Sequence, residues 1–191
     1  MPQPAEPCTT ASTRQRILDV ALELFAAQGF AATTTRELSE RLGFTKAALY
    51  YHFHSKDDLL QALVDPVVSE LHAVLDRHAS TAAGPAAPDA VLADYLDVVL
   101  GHRRLLGVLV QDPSAAGRPA MEAGREFYLR LTTLLSGPAG DTPEGRARTR
   151  FVLGGVHATV LFAEPDDDLA ALRAGALAAG RAALHAAGPA D

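Results

Sequence analysis

The chain has 191 residues, of which 48% are apolar and 21% charged, with a formal net charge of −6 and one cysteine, Cys8. That composition excludes a wholly disordered chain, a collagen-like repeat, a disulfide scaffold and a Cys-rich zinc site. The longest nearly apolar run, residues 151–163, falls short of the ~20 residues a membrane-spanning helix needs, and the N-terminus lacks the pattern of a secretory signal, so a cytoplasmic protein without a membrane partner is expected.

The charge is unevenly shared. Residues 1–56 hold six Lys/Arg against five Asp/Glu, and the remainder hold eleven against eighteen. A near-neutral head on an acidic body is the first hint of two functions in one chain.

In chain order, residues 1–11 carry three prolines and no periodicity, and read as a mobile tail. Ser12 and Gln15 have capping-box spacing ahead of Ile17, Val20, Ala21, Leu24 and Phe25, which share one helical face up to Gly29. Thr34 and Glu37 repeat the box before Leu38 and Leu42, and Gly43 ends that short helix. Thr45 caps a third helix with Leu49 and Phe53 on one side. Ser55 and Asp58 open a longer fourth helix, in which Pro66 predicts a kink. An Ala-rich spacer at 80–87 precedes helices expected over 88–100, 102–111 and 119–135. Thr142-Pro143 opens another helix to about residue 163, and Asp166 to Asp168 suit the start of the last, which Gly188-Pro189 ends. No segment shows sustained β alternation, so the chain reads as all-α, about nine helices in total.

Two short helices joined by a glycine turn outline a helix-turn-helix. With Leu49 and Phe53 turned inward, a step of about 100° per residue turns Ala47 and Tyr51 outward. Ala48 and Tyr50 then lie on the flanks and Lys46 at the exposed N-terminal end. Small alanines admit a helix to the major groove, and the tyrosines and Lys46 can reach bases or phosphates. Backbone N–H groups at Thr45 and at Thr34–Thr35 suit phosphate oxygens. From the residues alone, Tyr50 and Tyr51 read equally well as surface aromatics and Lys46 as a solvated charge.

The segment from Thr33 to Leu60, with its Leu49-Tyr50-Tyr51-His52-Phe53 core followed by Ser55-Lys56, resembles the signature of the TetR family of bacterial transcription regulators. Residues 17–30 resemble that family's first helix, and the likeness covers residues 13–63. The resemblance implies a helix-turn-helix DNA-binding domain over 12–56 and a helical effector-binding and dimerisation domain over 57–191. It implies that Thr35 and Arg36 lie at the DNA, Arg36 touching a base or phosphate. Thr45, Lys46, Ala47 and Ala48 would face the groove, while Tyr50, Tyr51, His52 and Lys56 would hold the backbone. Pro66, in the helix that joins head to body, departs from the family pattern.

The resemblance also implies a homodimer through the last two helices. Gly154, Gly155 and Ala158 on one, and Ala176, Ala179, Gly180 and Ala183 on the other, would permit close approach, although small residues are scattered throughout this Ala-rich chain. A small-molecule effector of unknown identity would be enclosed by Tyr95, His102, Leu106, Phe127, Tyr128, Phe151 and His157. Taken singly, Phe127 and Phe151 also read as core, Tyr95 as surface and His157 as a satisfied buried histidine. The expected activity is a ligand-responsive repressor that binds a palindromic double-stranded operator. An activator or architectural DNA binder is the alternative, and an all-α carrier or enzyme the more distant one. No catalytic, metal or cofactor constellation is visible: His52-x-His54 has no third ligand nearby, and no Gly-rich phosphate loop follows a strand.

Overall fold

The structure is a computed structural model that describes residues 10–79, 87–112, 118–137, 142–164 and 166–186. The expectations for Cys8 and the tail before residue 10, for the spacer at 80–86, and for the breaks at Pro113, Pro165 and Gly188-Pro189 lie outside the described residues. Among the described residues the chain forms nine α-helices and no strand: α1 (Thr10–Gln28), α2 (Thr35–Leu42), α3 (Lys46–His52), α4 (Lys56–Ala79), α5 (Ala87–Gly101), α6 (Arg103–Gln111), α7 (Arg118–Ser136), α8 (Pro143–Leu161) and α9 (Leu169–Leu184). No described helix is long and apolar enough to cross a membrane.

The helix starts follow their capping residues. Thr34, Thr45 and Thr142 each accept a hydrogen bond from the backbone N–H three residues on, and Asp168 accepts from Ala170 and Ala171. Ser55 Oγ accepts from Asp58 N–H while the Asp58 carboxylate accepts from His54 N–H, so the first turn of α4 is tied from both sides. Helix α1 departs from expectation. It begins at Thr10 rather than after Ser12, because the Gln15 side chain donates to the Asp19 carboxylate one turn on instead of reaching back to cap. Helix α4 continues through Pro66, where the carbonyl of Ala62 has no helical N–H to accept.

The residues form two compact units. One comprises the described residues up to Pro66 with those of Val108–Ala115, and the other those of Val67–Gly107 with those after residue 117. The division falls inside α4, ten residues beyond the boundary expected at 56/57, and the last residues of α6 belong to the first unit. Asp112 shows why: its carboxylate accepts the backbone N–H of Ala31 at 2.7 Å.

The first unit buries Ile17, Ala21, Phe25, Leu38, Leu42, Leu49, Phe53 and Leu59. Phe25 and Phe30 meet edge to face at 5.1 Å between centroids. The second unit is built around α5, which packs against α7, α8 and α9 and buries Val91, Leu92, Tyr95, Leu96, Val99 and Leu100. Its rim is laced with ion pairs. Arg173 forks onto Asp97, which holds that carboxyl below the usual range by hydrogen bonding more than burial raises it. His185 and Arg181 meet Asp89, and His78 and Arg77 meet Asp94.

Three expectations about this unit need correction. Phe151 is not core: it is 75% exposed, because the buried face of α8 is taken by Thr149, Val152, Leu153, Val156 and Val160. Tyr95 is not on the surface but 4% exposed. Gly180 does not face outward. It is buried, and a methyl placed there would stand 2.6 Å from Leu92 Cδ2, so its smallness serves the approach of α9 to α5 within the chain. Ala176 and Ala183 pack against the same core.

Candidate nucleic-acid interface

The turn between α2 and α3 rests on Gly43, whose φ of 68° lies in the left-handed region that side chains resist. Its N–H and that of Phe44 return to the α2 carbonyls of Glu40 and Ser39, closing α2 while the chain swings into α3. Leu49 and Phe53 are buried, 1% and 5% exposed, and they fix the rotation of α3. The opposite face is thereby presented to solvent: Lys46, Ala47, Ala48 and Tyr51 are exposed, Tyr51 to 79%. Tyr50 is exposed on the flank, with the Lys46 ammonium 5.5 Å from its ring centre. His52 is half-buried beside Tyr51. Thr45 is exposed at the helix start, its hydroxyl accepting from Ala48 N–H.

At the start of α2, Thr35 is half-buried and Arg36 exposed. Arg36 Nε lies 2.8 Å from Glu40 Oε1, a one-turn pair that raises the guanidinium's already high pKa. A phosphate would have to compete with Glu40 for it.

Lys56 is placed differently from expectation. Its ammonium donates to the carbonyls of Phe30 at 2.5 Å, Thr33 at 2.9 Å and Ala31 at 3.2 Å, and sits 4.3 Å from the Phe30 ring centre. An ammonium has three N–H donors, and three carbonyls take them. Lys56 therefore fastens the turn between α1 and α2 rather than reaching for phosphate. With Asp112 on the N–H of Ala31, that turn is held through both its donor and acceptor groups.

This head presents a small-residue, aromatic-flanked helix of about two turns. Residues 17–63 match the family model for bacterial regulatory proteins of the tetR family. Over those residues, about a quarter of its length, the chain is similar to the TetR family. Among curated relatives, the transcriptional regulator SrpR of Pseudomonas putida is 46% identical over 52 residues, 27% of this chain and 24% of that protein. The class A tetracycline repressor from transposon 1721 of Escherichia coli is 31% identical over 134 residues, 65% of this chain and 56% of that protein. The chain thus spans about a quarter to just over half of these relatives' length. Among solved structures, a TetR-family member from Streptomyces coelicolor superposes with a TM-score of 0.71 at 25% identity, covering 97% of this chain and 94% of that one.

Within this TetR-family fold, the seven side chains expected at an effector site divide. Tyr95, Phe127 and His157 come together: the Tyr95 hydroxyl is 2.8 Å from His157 Nε2, and the Phe127 ring centre is 6.0 Å from that of Tyr95. His72 joins them edge-on to Phe127, a neighbour that its position on the long α4 did not reveal. Burial first, and Tyr128 second, push the Tyr95 phenol well above its ordinary value. Desolvation lowers the His157 imidazole, although the residue as a whole is exposed. Both shifts favour a neutral phenol donating to a neutral imidazole. Leu106 packs against the core, His102 instead pairs with Glu70 at 3.1 Å, Tyr128 is 36% exposed, and Phe151 points to solvent.

Of the small residues expected at a dimer face, Gly154, Gly155, Ala158 and Ala179 are exposed. On α8 the first three continue a stripe that includes Ala147 and Phe151 and ends at Phe162, just past the helix and 80% exposed. On α9 the exposed run includes Ala171, Ala174, Gly175, Ala178 and Ala182.

Proposed function

We propose that this chain is a cytoplasmic repressor of the TetR family that binds a palindromic operator as a homodimer and leaves it when a small molecule binds. The observation that carries this reading is the outer face of α3. Ala47 and Ala48 leave its middle low enough to enter a major groove, with Lys46 and Tyr51 projecting beside them. Tyr50 and His52 on the flanks suit the sugar-phosphate backbone, and Arg36 and Thr35 an adjacent phosphate. The head would run from the start of α1 to that of α4, and the remaining helices would carry effector binding and pairing.

One two-turn helix reads few bases, so specificity calls for two copies related by a twofold axis, reading half-sites ~34–36 Å apart. The exposed stripe of α8, with α9 alongside, is the surface suited to a second copy. Small residues permit close helix approach there, and Phe151 and Phe162 supply large apolar area that is otherwise left in water. The Tyr95, Phe127 and His157 cluster is the candidate for sensing an effector. To move the protein from mostly bound to mostly free, that effector must favour the non-binding state by ~10⁴-fold, about 5.5 kcal/mol.

The test is a gel-shift titration against DNA from upstream of the chain's own gene, with and without small-molecule extracts. A specific shift relieved by an extract is expected. A shift equally strong on unrelated duplexes, or none at all, would overturn the reading.

A further inference from the structure

Helices α7 and α8 leave an open groove of about 390 Å³ between them, within the ~300–1,000 Å³ typical of small-molecule sites. From α7 it is lined by Leu129, Thr132, Thr133 and Ser136, which recur on one helical face, with Tyr128 beside them. From α8 it is lined by Arg146, Thr149 and Arg150. It adjoins the cluster around His157 at Tyr128, which acts on the Tyr95 phenol, and forms no part of the outer face of α3.

The hydroxyls of this groove are already committed. Thr132 and Thr133 both donate to the carbonyl of Leu129, Thr149 donates to that of Gly145, and Ser136 Oγ pairs with Thr149 Oγ1 at 2.8 Å. Little donor capacity remains there for a neutral polar ligand. The strong donors are the guanidinium groups of Arg146 and Arg150, whose backbones stand one helical turn, roughly 6 Å, apart. Arg146 already has an interaction of its own, and five N–H donors leave it further capacity. No carboxylate is among the described residues lining the groove, and Arg150 joins no ion pair among the described residues. Leu129, 57% exposed, and Tyr128 offer apolar surface along the same channel, which runs roughly 11 Å from Leu129 to Ser136.

We propose that this groove binds an amphipathic organic carboxylate, its head held by Arg146 and Arg150 and its apolar body laid along Leu129 and Tyr128. Guanidinium groups match a carboxylate fork geometrically, and covering the two apolar side chains removes them from water.

Decanoate is a suitable probe, with decyltrimethylammonium and decanol as cationic and neutral partners of the same chain length. Calorimetric titration and thermal melts of the full chain should show saturable decanoate binding, an increase in Tm, and little response to the other two. The R146Q/R150Q variant should bind decanoate about tenfold more weakly or worse, with R150Q alone intermediate. Both positions are exposed, and an unchanged melting curve without ligand will show that the fold is intact. Decanoate binding should survive Y95F. Equal binding of all three amphiphiles, or undiminished affinity in R146Q/R150Q, would overturn the proposal. So would loss of decanoate binding in Y95F, which would move the ligand to the His157 cluster.

Discussion

The Lys56 ammonium stands 2.5 Å from the carbonyl oxygen of Phe30, twenty-six residues earlier, and the same ammonium takes up the carbonyls of Ala31 and Thr33. The start of α4 is therefore bolted to the turn that leads into α2. Replacing Lys56 by methionine keeps much of the stem but abandons three carbonyls. A loss of about 2–3 kcal/mol is expected, since hydrogen bonds to charged groups carry ~1.5–3 kcal/mol. The chain has no tryptophan, so urea unfolding followed by far-ultraviolet circular dichroism is the suitable measurement.

The outer face of α3 should behave oppositely. Tyr51→Ala and Lys46→Ala alter exposed side chains, so stability should stay within ~0.5 kcal/mol of the parent. DNA affinity should fall in both. Lys46→Ala should also reduce the slope of log K against log salt by about one, as the loss of one phosphate contact does, whereas the uncharged Tyr51 should leave that slope alone. Unchanged affinity in both variants would remove α3 from the interface.

The pairing of Tyr95 with His157 carries a pH signature. The His157 imidazole titrates below its ordinary value near 6.5, so the folded state disfavours its proton. The stability tied to this group is then complete above the unfolded value and is lost as pH falls toward the lowered one. Histidine proton resonances should place His157 below a free imidazole, and melts between pH 5 and 8 should show the decline on the acid side. Tyr95→Phe removes the hydroxyl partner and should cost about 1 kcal/mol at pH 7.

Gly180 and Leu92 give a packing test. Gly180→Ala improves helix propensity by about 1 kcal/mol, yet its methyl would meet buried Leu92 at 2.6 Å, with Val152 Cγ1 at 3.4 Å. Overpacking of that kind costs ~1–3 kcal/mol, so a net loss of about 1 kcal/mol and a lower Tm are expected.

Phe151 tests the proposed pairing surface. Phe151→Glu sets charges in the middle of the exposed α8 stripe and should convert a dimer to monomers in sedimentation equilibrium, leaving the helical content of each chain intact. A second readout is DNA affinity, which should fall with the loss of the paired head. A variant that stays dimeric would place the contact elsewhere.

The head was largely readable from residue order, because its determinants are local. The side-chain caps at Thr34, Thr45 and Ser55, the left-handed Gly43, and the four-residue spacing of Leu49 and Phe53 each act within one helical turn. What escaped is long-range. Nothing near Lys56 in the chain indicates that carbonyls 23 to 26 residues upstream will consume its donors. Helix α8 is apolar or small around most of its circumference, so no period could tell the buried Val152 from the exposed Phe151. The partner of Gly180 lies on α5, out of reach of any local pattern, and the groove between α7 and α8 exists only once two helices share a boundary.

Asp112 has a further consequence, in time rather than in space. It supplies an acceptor to Ala31, 81 residues earlier. A ribosome working at ~5–20 residues per second delivers that carboxylate roughly 4–16 s after Ala31 itself, so the nascent head passes through an interval in which this backbone amide lacks its final partner. A fragment cut after α4 would remain at that stage permanently, and its melting temperature should sit below that of the same helices in the whole chain.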